Sequence, residues 1–296
     1  MKLYICGNGF DLHHGFKTSY RDYRDFLLNN YPDALMSFEN CPYLRLNSPC
    51  FDRWSNLEDA LTFEYEECME DVLNLYYPDV LNDDSDSRWH NIGNELELQT
   101  EFVYAFTGQY FYEWFKTIDF FYPSSLIKMD KDGLFITFNY TEVLENFYHI
   151  NPTNVMHIHG NLDFKNTSNL QFGSTYNDSD EIRNNLEKLY GRDDYYTVSI
   201  EPGVNEIISY CDVASKKINN NYEPLKRFIS RGNIDELIIM GHSIIGLDYP
   251  YYRDIIVPML TNSTKWIIYT RSEKDKTDAK EFLNISQISN YKLLEW

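Results

Sequence analysis

The stretch Leu3-Tyr4-Ile5-Cys6-Gly7-Asn8-Gly9-Phe10-Asp11 is an apolar run that stops at two glycines and small polar groups. Such a run, bounded by a turn signal, has the pattern of a strand buried on both faces. The pattern returns in Leu134-Phe135-Ile136 before Thr137-Phe138-Asn139-Tyr140-Thr141, in Val155-Met156 before His157-Ile158-His159-Gly160, and in Leu237-Ile238-Ile239-Met240 before Gly241-His242-Ser243. In an open parallel sheet, ligands bind outside the carboxyl ends of the strands, so polar groups placed just past several buried strands converge on one crevice. The expected fold class is α/β, with a candidate site at these strand ends.

Working outward, further strands are expected at residues 170–172, 197–200, 265–270 and 291–296, separated by helices near 141–148, 180–189, 204–217 and 222–231. Between the first two strands the chain reads as helical. Ser19-x-x-Asp22 suits a helix start. Ser55-x-x-Glu58 has a capping-box pattern ahead of an apolar face formed by Leu57, Leu61, Tyr65, Cys68, Val72 and Tyr76. A second aromatic helix is expected over residues 97–121. This exceeds what a plain strand–helix–strand crossover needs. The expected organisation is therefore a sheet domain of residues 1–20 plus 130–296, with an inserted helical subdomain of residues 21–129. The acidic segment 82–87 reads as a solvated connection, and residues 161–177, rich in Asn, Ser, Thr and Gly, read as a loop able to cover the site.

The 296 residues, 43% of them hydrophobic, are enough to bury a sizeable core, and the net charge of −20 disfavours a broad surface for nucleic acid or anionic lipid. A small anionic ligand held by backbone N–H groups survives that objection. The chain opens on a strand pattern without a leader-like segment, and no apolar run reaches membrane-spanning length, so a cytoplasmic location without membrane contact is expected. Five scattered cysteines, Cys6, Cys41, Cys50, Cys68 and Cys211, form neither a disulfide framework nor a CxxC zinc pair.

Gly7-Asn8-Gly9 gives a turn whose N–H groups can approach a pyrophosphate, although a lone GxG is also a common tight turn and the third glycine of the dinucleotide fingerprint is not at its usual place. Asn139 could bind a ribose hydroxyl or hold a water beside a reacting carbon; it could equally be a turn-forming Asn. His157 and His159 alternate with Met156 and Ile158 and so share a strand face. His159, beside Gly160, is the better candidate base, whereas His157 reads as a satisfied buried histidine. No carboxylate or cysteine completes a metal site with them, so no metal is expected. Gly241-His242-Ser243 offers another open turn with a serine for phosphate or ribose. Ile245 stands where a hydrolase elbow would need glycine.

Taken in order, Gly7-Asn-Gly-Phe-Asp-Leu-His-His-Gly15-Phe-Lys-Thr-Ser-Tyr20, Trp54-Ser-Asn-Leu-Glu58, Phe138-Asn-Tyr-Thr141, His157-Ile-His-Gly160 and Gly241-His-Ser243 with Asp248 and Tyr252 resemble the AbiH-like family of bacteriophage abortive-infection proteins. That pattern is in turn similar to sirtuin-like NAD-binding domains, with Gly7, Gly9 and Gly15 on the glycine positions. The resemblance implies a Rossmann-like parallel sheet with a large helical insertion after the first strand, and antiphage action by cleavage of NAD+ as substrate. Asn139 and His159 would be the catalytic pair. Gly7, Asn8, Gly9, Phe10, Asp11, Thr18, Phe138, Gly241, Ser243 and Asp248 would hold the nucleotide. The expected partners are a small-molecule nucleotide and either a second copy of the chain or another defence-system subunit. The alternative is a nucleotide sensor or interaction module without turnover. Asn8 and Asp11 replace small residues of the sirtuin-like pattern, Lys17-Thr18 replaces Pro-Asp, Thr141 replaces an Asp, and the four zinc cysteines of sirtuin deacylases are missing.

Overall fold

The computed structural model describes residues 1–45, 53–76, 91–123, 126–162, 170–192 and 196–296. Six strands, β1 (Lys2–Cys6), β2 (Leu134–Thr137), β3 (Val155–His157), β4 (Glu236–Met240), β5 (Lys265–Thr270) and β6 (Tyr291–Glu295), form one sheet in the order β3-β2-β1-β4-β5-β6. Every neighbouring pair is parallel. This is a Rossmann-like α/β fold. Its strand order reverses between β1 and β4, the place where such sheets open a crevice.

The central strands read as uninterrupted apolar runs because each face of the sheet is covered. Leu3, Ile5, Ile136, Leu237, Ile239 and Ile268 pack on one side with Leu225, Tyr252, Ile256 and Phe282 from covering helices. Tyr4, Cys6, Phe135, Ile238 and Met240 face the other side, against Phe10, Phe16, Leu144 and Tyr148. The alternation is the period of two of a strand, and Tyr4 stacks flat on Phe135 with centroids 4.7 Å apart.

The chain divides into two compact units. One comprises Met1–Ser19, Phe115–Gln171 and Lys217–Trp296 and carries the whole sheet; the other comprises Tyr20–Trp114 and Phe172–Lys216 and is helical. Residues 172–216, expected from the sequence to belong with the sheet, thus have their contacts in the helical unit. That unit packs around Tyr23, Phe38, Phe106 and Phe111, all at most 1% exposed, with edge-to-face rings such as Tyr23 on Phe111 at 5.3 Å.

Several local expectations are corrected. No strand forms at 170–172, and 197–200 lies in a π-helical turn, Tyr196–Ile200, that leads into the helix Glu201–Val213. The helix expected from Ser55 breaks into Leu57–Ala60 and Tyr65–Tyr76. Between them Phe63 bridges Leu44, and Glu58 accepts from Lys216 Nζ at 2.6 Å. The aromatic helix starts earlier, at Asn91–Thr100, passes through a π-helical turn at Ala105–Gln109 and ends with Tyr110–Lys116. The acidic segment 82–87 and residues 163–169 of the expected covering loop lie outside the described residues.

Candidate functional site

The turns after β1 and β4 meet at the reversal point. The Gly7 N–H donates to Met240 O at 3.1 Å and the Gly9 N–H to Gly241 O at 2.8 Å. A Cβ on Gly9 would lie 2.7 Å from Gly241 Cα, and one on Gly241, whose φ is +63°, would lie 2.2 Å from Phe10 N. The glycines are therefore required by the close approach of two backbones. The expectation that the Gly7 and Gly9 N–H groups face a pyrophosphate is corrected, since both already serve the neighbouring strand and turn. Asn8 and Thr18 likewise pair with each other, Thr18 Oγ1 donating to Asn8 Oδ1 at 2.7 Å and Asn8 Nδ2 to Thr18 O at 2.9 Å. Phe10 is 1% exposed and belongs to the core under the sheet.

Asp11 follows, on the short helix Asn8–His13, and is turned inward, 1% exposed. Its Oδ1 accepts from Asn139 Nδ2 at 2.9 Å and its Oδ2 from the Thr141 hydroxyl at 2.6 Å. Asn139 Nδ2 also donates to Gly7 O at 3.1 Å. Burial pushes the Asp11 carboxyl up to about 7, against the opposing hydrogen bonds from Thr141 and Asn139 and the nearby His157. Asp11 is expected from the sequence among the nucleotide contacts; its carboxylate is instead engaged by Asn139 and Thr141.

His159 is reached from the next strand. Thr137 and His157 are register partners, and the Ile158 N–H donates to Thr137 O at 2.9 Å, so Asn139 and His159 each sit two residues past a registered pair. The His159 ring is edge-on to Phe138 at 5.4 Å, and its Nε2 lies 3.1 Å from Asp248 Oδ1. The other Asp248 oxygen lies 3.4 Å from His242 Nε2. His242 stacks on Phe138 at 3.9 Å, and its Nδ1 is 2.8 Å from the Tyr252 hydroxyl. A proton on His242 Nε2 would face Asp248, and Nδ1 of that tautomer would accept from the Tyr252 hydroxyl. His159 and His242 thus converge on one carboxylate, with Phe138 filling the space beside both. His157 points elsewhere: Nε2 meets Glu145 Oε1 at 2.9 Å and Nδ1 meets Asn139 O at 3.3 Å, the satisfied histidine that its position in the strand implied.

Beside the reversal point lies a cavity of about 230 Å³ lined by Gly9, Gly241, Ser243, Ile268, Asp278 and Trp296 among others. Ser243 is exposed and its hydroxyl donates back to Ile245 O at 2.7 Å. Asn139 and His159 are not in this lining; they are 6% and 2% exposed. His242 lines the cavity and also touches Asp248 and Phe138, so it stands between the open space and the buried pair. Of the expected nucleotide contacts, Gly9, Gly241 and Ser243 reach the cavity. Gly7, Asn8, Phe10, Asp11, Thr18, Phe138 and Asp248 do not line it.

With the turns and the strand-end side chains in place, comparison with known protein families matches residues 3–270 to AbiH, described as bacteriophage abortive infection. The chain belongs to the AbiH family. The match takes in the first five strands, including every strand end that carries a candidate residue. No curated protein matches the chain. In this AbiH-family fold no described helix is long and apolar enough to cross a membrane. Among the described residues, no group of three or more His, Cys, Asp or Glu side chains is arranged to hold a metal ion. Two site residues, His242 and Glu145, were not singled out by the sequence. His242 was legible only as the middle of a glycine–serine turn, and Glu145 only as a helical residue, because their partners Tyr252 and His157 are set by the fold.

Proposed function

We propose that this chain is a cytoplasmic abortive-infection effector that binds an adenine dinucleotide and cleaves NAD+ at the nicotinamide–ribose bond. The observation that carries the reading is the His159–Asp248 contact of 3.1 Å at the end of β3, beside Asn139 at the end of β2. A histidine whose far nitrogen is held by a carboxylate is the usual build of a general base.

In this reading, water attacks the ribose C1′ as the bond to nicotinamide breaks. The bonding electrons pass to the pyridinium nitrogen, giving neutral nicotinamide, and the water proton passes to His159 and on to solvent. Asn139 holds the water or a ribose hydroxyl in line. The transition state has oxocarbenium character, so a dry pocket edged by Phe138 and a fixed carboxylate would favour it. Sirtuin-like ancestry of the site is part of the same proposal.

Asn139 and His159 are buried, so in this reading the conformation is a resting form and turnover requires that they be uncovered. A cavity of about 230 Å³ is below the usual range of roughly 300–1,000 Å³ for a ligand site, which agrees with a closed state. The same burial favours a second reading, a nucleotide sensor without turnover. Incubation of purified protein with NAD+, with and without extract of phage-infected cells, separates the two. Release of nicotinamide and ADP-ribose by wild type but not His159→Ala supports cleavage. Calorimetric binding of ADP-ribose without product under any condition supports the sensor.

A further inference from the structure

Asn139 carries an amide whose two ends are nearly the same size and opposite in hydrogen-bonding sense. At its nitrogen end both hydrogens are taken, by Asp11 Oδ1 at 2.9 Å and by Gly7 O at 3.1 Å. At its oxygen end, Oδ1 is buried and meets no hydrogen-bond donor among the described residues. While Asp11 is ionised, turning the amide over would set that oxygen against two acceptors, the Gly7 carbonyl and a carboxylate, and is strongly disfavoured. The second Asp11 oxygen is held by Thr141 Oγ1 at 2.6 Å, so the carboxylate itself cannot swing away without losing a charge-assisted bond.

We infer that Asp11 is a positioning residue for Asn139, fixing the amide so that Oδ1 is presented as an acceptor to an O–H group of the ligand. The inference rests on the NAD-cleaving reading for what that O–H group is, a ribose hydroxyl or the attacking water. An acceptor held open in this way selects a donor, so the group it meets is not a phosphate or a carboxylate. Leaving a buried acceptor unmet is costly, and a bound O–H removes that cost. It also gives Thr141 its place: a hydroxyl can donate to Asp11, whereas a second carboxylate at 141 would repel it. Asp11 feels the charge of His157 on β3 and acts on the Cys6 thiol of β1, and neither replaces it as an acceptor for Asn139.

Asp11→Asn keeps an oxygen toward Asn139 and turns its own amide to the Thr141 hydroxyl oxygen. Asp11→Ala removes the acceptor altogether. The test uses the full chain with asparagine side-chain amides labelled with ¹⁵N, the Asn139 pair being assigned by its loss in Asn139→Asp. Proton exchange of that pair is measured alongside NAD+ cleavage and ADP-ribose affinity. In wild type and Asp11→Asn the Asn139 amide protons are expected to be slow to exchange. In Asp11→Ala they exchange at least tenfold faster, and cleavage falls about 10²-fold while ADP-ribose affinity changes less than threefold. Asp11→Asn is expected to recover most of that loss.

Unchanged exchange or unchanged cleavage in Asp11→Ala would overturn the assignment. So would Asp11→Asn exchanging as fast as Asp11→Ala, or much faster than wild type, which also decides the matter if the alanine variant does not fold. If wild type cleaves no NAD+, the functional reading fails on its own, and the amide exchange still decides whether Asp11 holds Asn139.

Discussion

Asp248 and His159 come from segments far apart in the chain, yet Oδ1 of the one lies 3.1 Å from Nε2 of the other, with the His159 side chain 3% exposed. The contact holds the imidazole by its far nitrogen. Asp248→Asn keeps the shape and removes the charge. NAD+ cleavage is expected to fall by about 10²-fold or more, as for loss of a general base, while ADP-ribose affinity changes little. Steady-state kinetics beside calorimetry check this; equal losses of turnover and affinity would assign Asp248 to binding.

Gly241→Ala should unfold the reversal point. Its φ of +63° and the 2.2 Å approach of an added Cβ to Phe10 N leave no relaxed position for the methyl group, because the obstacle is backbone. A loss of about 3 kcal/mol or more is expected in urea unfolding, against about 1 kcal/mol or less for Ser243→Ala on the exposed side of the same turn.

Asp11 makes stability depend on pH in a definite direction. Its carboxyl stands at about 7 when folded against 3.8 for an ordinary aspartate, so between those values the folded chain binds more protons than the unfolded one. The contribution of this group is therefore most favourable below about pH 4 and declines as pH rises to about 7, by at most about 4 kcal/mol. Asp11→Asn should flatten that part of the profile and raise stability at pH 8. Urea midpoints from pH 4.5 to 8 check the sign; an Asp11→Asn profile parallel to wild type would contradict it.

Filling the cavity tests whether it is part of the proposed nucleotide site. Ser243→Trp places a large ring at its mouth from an exposed position. ADP-ribose affinity is expected to drop at least tenfold with a change in stability of about 0.5 kcal/mol or less. Retained affinity would move the nucleotide elsewhere.

The strands were legible because a strand buried on both faces is a continuous apolar run, and Leu3 to Cys6 or Leu237 to Met240 admit no helical face. What the runs could not convey was partnership. Phe63 leaves the helical register because it pairs with Leu44 in a bridge, held by Arg45 N to Thr62 O at 2.8 Å and Glu64 N to Tyr43 O at 2.7 Å, and its own N–H donates to Asn177 Oδ1 at 3.1 Å. Thr197, Val198 and Ile200 have strand-like composition but lie in a unit that has no sheet among its described residues, so they wind into the helix that follows. At the site, Asn139 and His159 were readable as polar residues at strand ends. Asp11 was not readable as their support, since a carboxylate after a glycine turn looks the same whether it faces a ligand or the protein. Only the donors on Asn139 and Thr141, more than a hundred residues away, decide it.

Consumption of NAD+ through His159 would be visible in the cell. Its most direct test is NAD+ concentration in cells carrying wild type or His159→Ala, measured before and through phage infection. A fall during infection with wild type alone, accompanied by loss of protection in His159→Ala, is the expected result. Constant NAD+ in wild-type cells that remain protected would contradict the account and leave the nucleotide-sensing reading in its place.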